Sequence, residues 1–234
     1  MKNLKVILGA ILLSICGGII VRMDWKTCKK QSGILNVYNK KSKMGNINNC
    51  NIDYILKWEG GLSKHVKDSA SSNCVPDGSG VHTNKGITWL SWRAKHGSSE
   101  SSIKRFYEMS KKDWLGMYEL YWYGIKADKI DSDLIAEFWA DFAWGSGVGG
   151  AARQLQSYLR SEGFNLEIDG IIGKMTLSAL NGLIKAKGER YVFDGCYIHR
   201  IHFLKSLKSF ADFGRGWMNR LEDFYDYAET KLNG

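Results

Sequence analysis

Glu59, followed at once by Gly60 and Gly61, is the residue in this chain best placed to do acid–base chemistry. In Asn51-Ile-Asp-Tyr-Ile-Leu-Lys-Trp-Glu-Gly-Gly61, the apolar residues Ile52, Ile55 and Leu56 recur at helical spacing. Asn51 or Asp53 can cap the start, and the glycine pair ends the run. The pattern predicts a short helix with Glu59 on its last turn. The negative end of the helix dipole opposes a second negative charge there, and aromatic and aliphatic neighbours add desolvation; both favour the neutral acid. A carboxylic acid that keeps its proton near neutral pH can protonate a departing oxygen. Two further carboxylates, Asp68 and Asp77, follow within twenty residues, and Thr83 opens the segment Thr-Asn-Lys-Gly-Ile-Thr88. A second carboxylate can stabilise developing positive charge or activate a water on the opposite face.

The elements around this segment read as helical. Residues 110–122 place Leu115, Tyr118 and Trp122 at helical spacing. Residues 135–144 are strongly apolar and end in the glycine-rich Gly145-Ser-Gly-Val-Gly-Gly150. No strand precedes that cluster and the Lys-Ser/Thr of a phosphate loop is missing, so it reads as a helix–helix turn. The core aromatics are plentiful, with 9 Trp, 11 Tyr and 9 Phe, and a single proline excludes a proline-rich linker.

Charge excludes one function class. The formal net charge is +9, but residues 1–50 hold nine basic side chains against one acid, while the other 184 residues carry 24 basic against 23 acidic. The folded part is nearly neutral and has no clustered basic face, so no nucleic-acid partner is expected. Lys2 and Lys5 precede an uncharged run, residues 6–21, closed by Arg22. It is short for a spanning helix, which needs ~20 apolar residues. No small-residue cleavage site follows it, and Ile15 rather than a small residue stands before Cys16. An uncleaved signal anchor, residues 1–22, fits best, followed by a basic linker, residues 23–50. Of the five cysteines, Cys28, Cys50, Cys74 and Cys196 lie beyond the run; Cys50 and Cys74 bracket the Glu59 segment and are the first pair to test as a disulfide, with free buried thiols the alternative. There is no CxxC, no His-Glu-x-x-His and no Gly-x-Ser-x-Gly, so neither a metal site nor a cofactor is expected. His199 and His202 have helical spacing without a third ligand nearby.

Lys57-Trp-Glu-Gly-Gly-Leu-Ser63, then Asp68, then His82-Thr-Asn-Lys-Gly-Ile-Thr88 resemble the glycoside hydrolase family 108 muramidases. The resemblance implies a mainly α, lysozyme-like α+β fold, with a short β-hairpin after the catalytic glutamate, that cleaves the glycan strand of peptidoglycan. It maps Glu59 to the catalytic acid, Asp68 to the acidic position nine residues on, and Thr83 to the threonine of Thr-Asn. It offers Asp77, Asn84, Tyr121 and Trp122 as substrate contacts. Residues 69–81 are longer than the family's pattern and hold Asp77, so Asp77 competes with Asp68 as second carboxylate; spacing from Glu59 favours Asp68. Asp141 and Gly147 also match the family, whereas the expected Asn is Gly145. Residues 151–159 with Asp169-Gly-Ile-Ile-Gly-Lys-Met-Thr176 are similar to a small helical peptidoglycan-binding module, which either binds glycan or buttresses the catalytic half. Phe213-Gly-Arg-Gly-Trp-Met-Asn-Arg220 resembles the family's Gly-Trp-x-x-Arg ending, with Arg215 and Arg220 expected to pair with internal acids.

The expected organisation is a signal anchor (1–22), a linker (23–50), a catalytic domain (51–147) and a peptidoglycan-binding-type subdomain (148–230). The expected protein is a monomeric N-acetylmuramidase tethered outside the inner membrane, in phage lysis or bacterial wall remodelling; the anchor resembles the signal-anchor-release segments of some phage endolysins. A non-catalytic wall-binding scaffold on the same fold is the second class.

Overall fold

The computed structural model describes residues 44–233. The expected anchor, most of the linker, and Cys16 and Cys28 lie outside the described residues. Among the described residues no helix is long and apolar enough to cross a membrane.

The described residues form one compact unit, mainly helical with one small antiparallel sheet. In chain order the elements are α1 (Ile52–Leu56), β1 (Leu62–Ser63), β2 (Thr83–Asn84), β3 (Ile87–Thr88), α2 (Trp89–His96), α3 (Glu100–Tyr107), α4 (Lys111–Gly124), α5 (Asp133–Ser146), α6 (Val148–Ser161), α7 (Lys174–Lys187), α8 (Glu189–Ser206) and α9 (Phe210–Asn233). The helices start where the sequence supplies caps. Asn51, Thr88, Ser99, Ser110 and Ser132 each accept a backbone N–H of the first turn, and Ser110 with Asp113 forms a full capping box.

α5 is the centre of the fold. Every residue from Leu134 to Ala143 is buried, the two carboxylates Glu137 and Asp141 included, so the helix is enclosed on all faces. α4, α6 and α8 pack around it, and α8 in turn packs on α6, α7 and α9. Trp89, Trp92, Trp114, Trp122 and Trp139 are all under 2% exposed and fill the interior. The boundary expected after residue 147 is therefore a turn between two packed helices. Residues 44–50, read above as the end of the linker, belong to this unit. Gly45 donates to the Ile130 carbonyl, Asn46 N–H and Asn49 Nδ2 donate to the two Asp133 oxygens, and Cys50 is buried.

Cys50, Cys74 and Cys196 are free thiols, so the Cys50–Cys74 bridge is not formed. Burial pushes the thiols of Cys50 and Cys196 up, which keeps them neutral and inert. The two halves of the peptidoglycan-module motif meet through Gln156. Its Nε2 donates to Asp169 Oδ1 (2.6 Å) and to the Ile171 carbonyl (3.0 Å), while its Oε1 accepts the Gly170 N–H (2.9 Å). These residues brace a loop.

α9 returns along the catalytic half and is fastened to it by polar contacts. Trp58 Nε1 donates to Asp223 (2.8 Å), Lys57 pairs with Asp223 (2.6 Å), and Tyr54 stacks on Tyr227 at 4.9 Å. Glu137, buried on α5, accepts from Tyr227 (3.0 Å) and from Lys231 (2.9 Å). Burial raises the Glu137 carboxyl above its usual value despite these partners. Removing Lys231 leaves a buried carboxylate with one neutral donor. Lys231→Met is expected to cost about 2 kcal/mol near pH 8 in denaturant titrations, the pair being partly exposed. Because the folded-state value lies above the unfolded one, that loss shrinks as pH falls towards 5 and Glu137 takes up its proton.

Candidate active site

Glu59 lies three residues beyond α1 in a turn, rather than on the helix's last turn, with its N–H donating to the Leu56 carbonyl. Its side chain is 9% exposed. Oε1 accepts from Trp144 Nε1 (2.9 Å) and from Arg220 Nη1 (2.7 Å). One wall is aromatic as expected, the Trp144 indole, but another is the Arg220 guanidinium, which was not expected there. Among the described residues no protein donor reaches Oε2, which faces Gly86. A Cβ on Gly86 would fall 2.2 Å from Oε2, so only glycine leaves this oxygen its place.

The turn holding Gly86 is locally encoded. Lys85 (φ 47°) and Gly86 (φ 77°) join β2 to β3 with both central residues left-handed, the type I′ geometry of two-residue hairpins. Lys85 then locks the turn to the body. Its N–H donates to the Gly61 carbonyl, its Nζ to the Met109 carbonyl (2.7 Å), and its carbonyl accepts from Trp114 Nε1 (3.0 Å).

Behind Glu59 runs a chain of buried charges. Arg220 Nη2 donates to Asp141 Oδ1 (2.7 Å), and Arg200 Nη1 donates to Asp141 Oδ2 (2.7 Å). Arg200 lies over the rings of Phe142 (4.6 Å) and Phe138 (5.5 Å). Burial alone would raise the Asp141 carboxyl, but Arg220 and Arg200 more than reverse this and hold it at about 2. The four groups carry two charges of each sign.

The other expected site residues fall into two groups. Thr83 is half-buried in β2, on the hairpin that carries Gly86, and Tyr121 meets Trp144 edge-on at 5.0 Å beside Glu59. Asp68 is exposed; its Oδ1 caps the short helical turn Ser69–Ser72 through Ala70 N–H. Asp77 accepts from Ser79 N–H (2.9 Å) and Tyr107 O–H (2.5 Å), and these bonds hold its carboxyl down at about 2. Two expected substrate contacts are placed elsewhere. Trp122 is wholly buried and has no face for a sugar. Asn84 is also buried, with Nδ2 donating to the carbonyls of Phe106 (2.6 Å) and Tyr107 (3.3 Å), so it ties the hairpin to α3. Trp144 and Gly86 were missed as site residues. Trp144 follows Asp141 by three residues on one helix face, a spacing that puts both side chains on the same side. Arg220 was expected to pair with internal acids, and it does, but the glutamate as partner is a tertiary fact.

A buried carboxyl gripped through one oxygen, in a helical scaffold with a small hairpin, is the arrangement a glycoside hydrolase of the lysozyme-like class requires. Residues 52–147 match the model of the glycosyl hydrolase 108 family, a muramidase family, and residues 150–222 match a predicted peptidoglycan domain. Together these make the chain a peptidoglycan hydrolase. Among solved structures, Brucella abortus SagA is 26% identical over 76% of this chain and 91% of that chain, with a TM-score of 0.58. No curated protein matches the chain significantly. Gly86→Ala is expected to leave the fold cooperative while lowering turnover at least tenfold; circular dichroism melting and glycan-release assays on the same preparation check both.

Proposed function

We propose that the chain is an N-acetylmuramidase, hydrolysing the β-1,4 bond between N-acetylmuramic acid and N-acetylglucosamine, with Glu59 as the general acid. The observation that carries this is the carboxyl's two-sided environment. Oε1 is held by Trp144 and Arg220, so the proton to be transferred sits on Oε2, over the bare backbone of Gly86. A glycosidic oxygen approaching there receives the proton as its bond to the anomeric carbon breaks. Positive charge develops on the sugar ring and a water attacks from the other face. Tyr121 and Trp144, both half-buried beside Glu59, form the apolar wall on which a sugar ring stacks. Of the two carboxylates proposed for the water's proton, Asp68 has an oxygen uncommitted among the described residues, whereas Asp77 has both engaged. This supports Asp68. The peptidoglycan domain keeps the enzyme on its polymer. The basic N-terminal region and the uncharged run at residues 6–21 support a monomer anchored outside the inner membrane, in phage lysis or wall remodelling.

Hydrolysis of purified sacculi, with the new reducing ends identified chemically, tests the proposal. The ends should be N-acetylmuramic acid, and Glu59→Gln should lower their release by roughly 10²–10⁴-fold while still sedimenting with the wall. Undiminished turnover in that variant removes Glu59 from the role, and N-acetylglucosamine ends assign the other bond of the strand.

A further inference from the structure

His82, immediately before Thr83, is a polar ring with no exposed surface. Its backbone is pinned on both sides: its N–H donates to the Ser63 carbonyl (3.1 Å) and its carbonyl accepts from Trp89 N–H (2.7 Å). Both ring nitrogens are engaged. Nδ1 lies 2.9 Å from Thr83 Oγ1, and Nε2 lies 3.3 Å from the His65 carbonyl oxygen. A carbonyl can only accept, so Nε2 carries the ring proton. In the neutral ring Nδ1 is then an acceptor, and the Thr83 hydroxyl donates to it. Thr83 has therefore spent its one donor, and its oxygen offers only lone pairs to a third group.

The placement of that oxygen matters. Ser63, Thr83 and Thr88 are cross-strand partners and share one face of the sheet, while Asn84 and Ile87 occupy the buried one. The turn that sets Gly86 against Glu59 is about two residue rises, ~7 Å, further along the same hairpin.

We propose that His82 is a positioning residue that fixes Thr83 as a hydrogen-bond acceptor for the attacking water. This rests on the reading of Thr83 as the group that holds that water. The water donates one hydrogen to Thr83 Oγ1 without transferring it, and a lone pair is thereby aimed at the anomeric carbon. The carbon–oxygen bond to the leaving sugar breaks with the proton from Glu59. The water oxygen bonds to the carbon, and its surplus proton passes to the second carboxylate or to solvent. The first product of such a displacement has the inverted, α configuration.

Two conservative variants separate this role from a structural one. Asparagine at position 82 can present an amide oxygen where Nδ1 stood, whereas glutamine reaches the Nε2 position. His82→Asn should keep at least half of kcat on soluble wall glycan. His82→Gln should lose roughly 10–100-fold in kcat with KM changed less than twofold. In a Thr83→Val background His82→Gln should have no further effect, and proton NMR of the wild-type reaction should show the α anomer first. Equal losses in the two variants, a loss that persists at full size beside Thr83→Val, or a change in KM alone would overturn the proposal. If Thr83→Val is fully active while Glu59→Gln is dead, the reading of Thr83 fails and His82 with it, leaving Glu59 untouched. Long-range proton–nitrogen correlation of the wild-type ring supplies a test that needs no variant: the Nε2–H tautomer is expected, and the Nδ1–H tautomer contradicts it.

Discussion

One guanidinium shared by two carboxylates governs the site. Arg220 gives Nη1 to Glu59 and Nη2 to Asp141, each at 2.7 Å. Without it Glu59 would lose its cation and Asp141 would keep only Arg200, and an unpaired charge away from water costs several kcal/mol. Asp141 is further paired with Arg200, and the two guanidiniums hold its carboxyl down at about 2 despite burial. The balance is reached with residues from four places in the chain: the turn after α1, α5, α8 and α9.

The dependence runs between the two family segments. Glu59, Asp141 and Trp144 belong to the segment of the glycosyl hydrolase, while Arg200 and Arg220 belong to that of the peptidoglycan domain. The Glu59 carboxyl thus takes its cation from the segment that matches a peptidoglycan domain. α9 is held in register by Asp223 on Trp58 and Lys57, by Tyr227 on Tyr54, and by Lys231 on Glu137. On the other side the hairpin presses Gly86 against Oε2, its turn locked through Lys85. One carboxyl oxygen is gripped by two donors, and the other packs against Gly86 with no protein donor among the described residues.

What could be read in advance was what is local. Glu59 before a glycine pair, the cap at Asn51 and the strongly apolar run of α5 follow from periodicity and from the chemistry of helix ends. The helical fold with its small hairpin followed from the family resemblance. Side-chain roles set by distant packing were less legible. Tyr121 and Trp122 are adjacent, but one turns towards Trp144 and the other into the core, a difference of helix phase that aromatic composition does not show. Asn84 looked like a substrate contact because it follows Thr83, yet strand alternation points it inward to the carbonyls of α3. The end of the linker looked solvated because residues 44–50 lack a period, although Gly45 and Cys50 pack against the body through contacts more than eighty residues away in sequence, such as Asn46 with Asp133. Trp144 carried no motif of its own beyond its spacing from Asp141.

The central claim is that Glu59 gives its proton to the departing sugar oxygen, and dependence on the leaving group tests it most directly. Hydrolysis by Glu59→Gln should be measured on wall glycan and on an aryl glycoside of the same sugar whose phenolate departs without a proton. The account predicts a loss of at least about 100-fold on the glycan and less than about tenfold on the aryl glycoside. Equal losses on both substrates would contradict it, because the carboxyl would then serve some purpose other than protonating the leaving group.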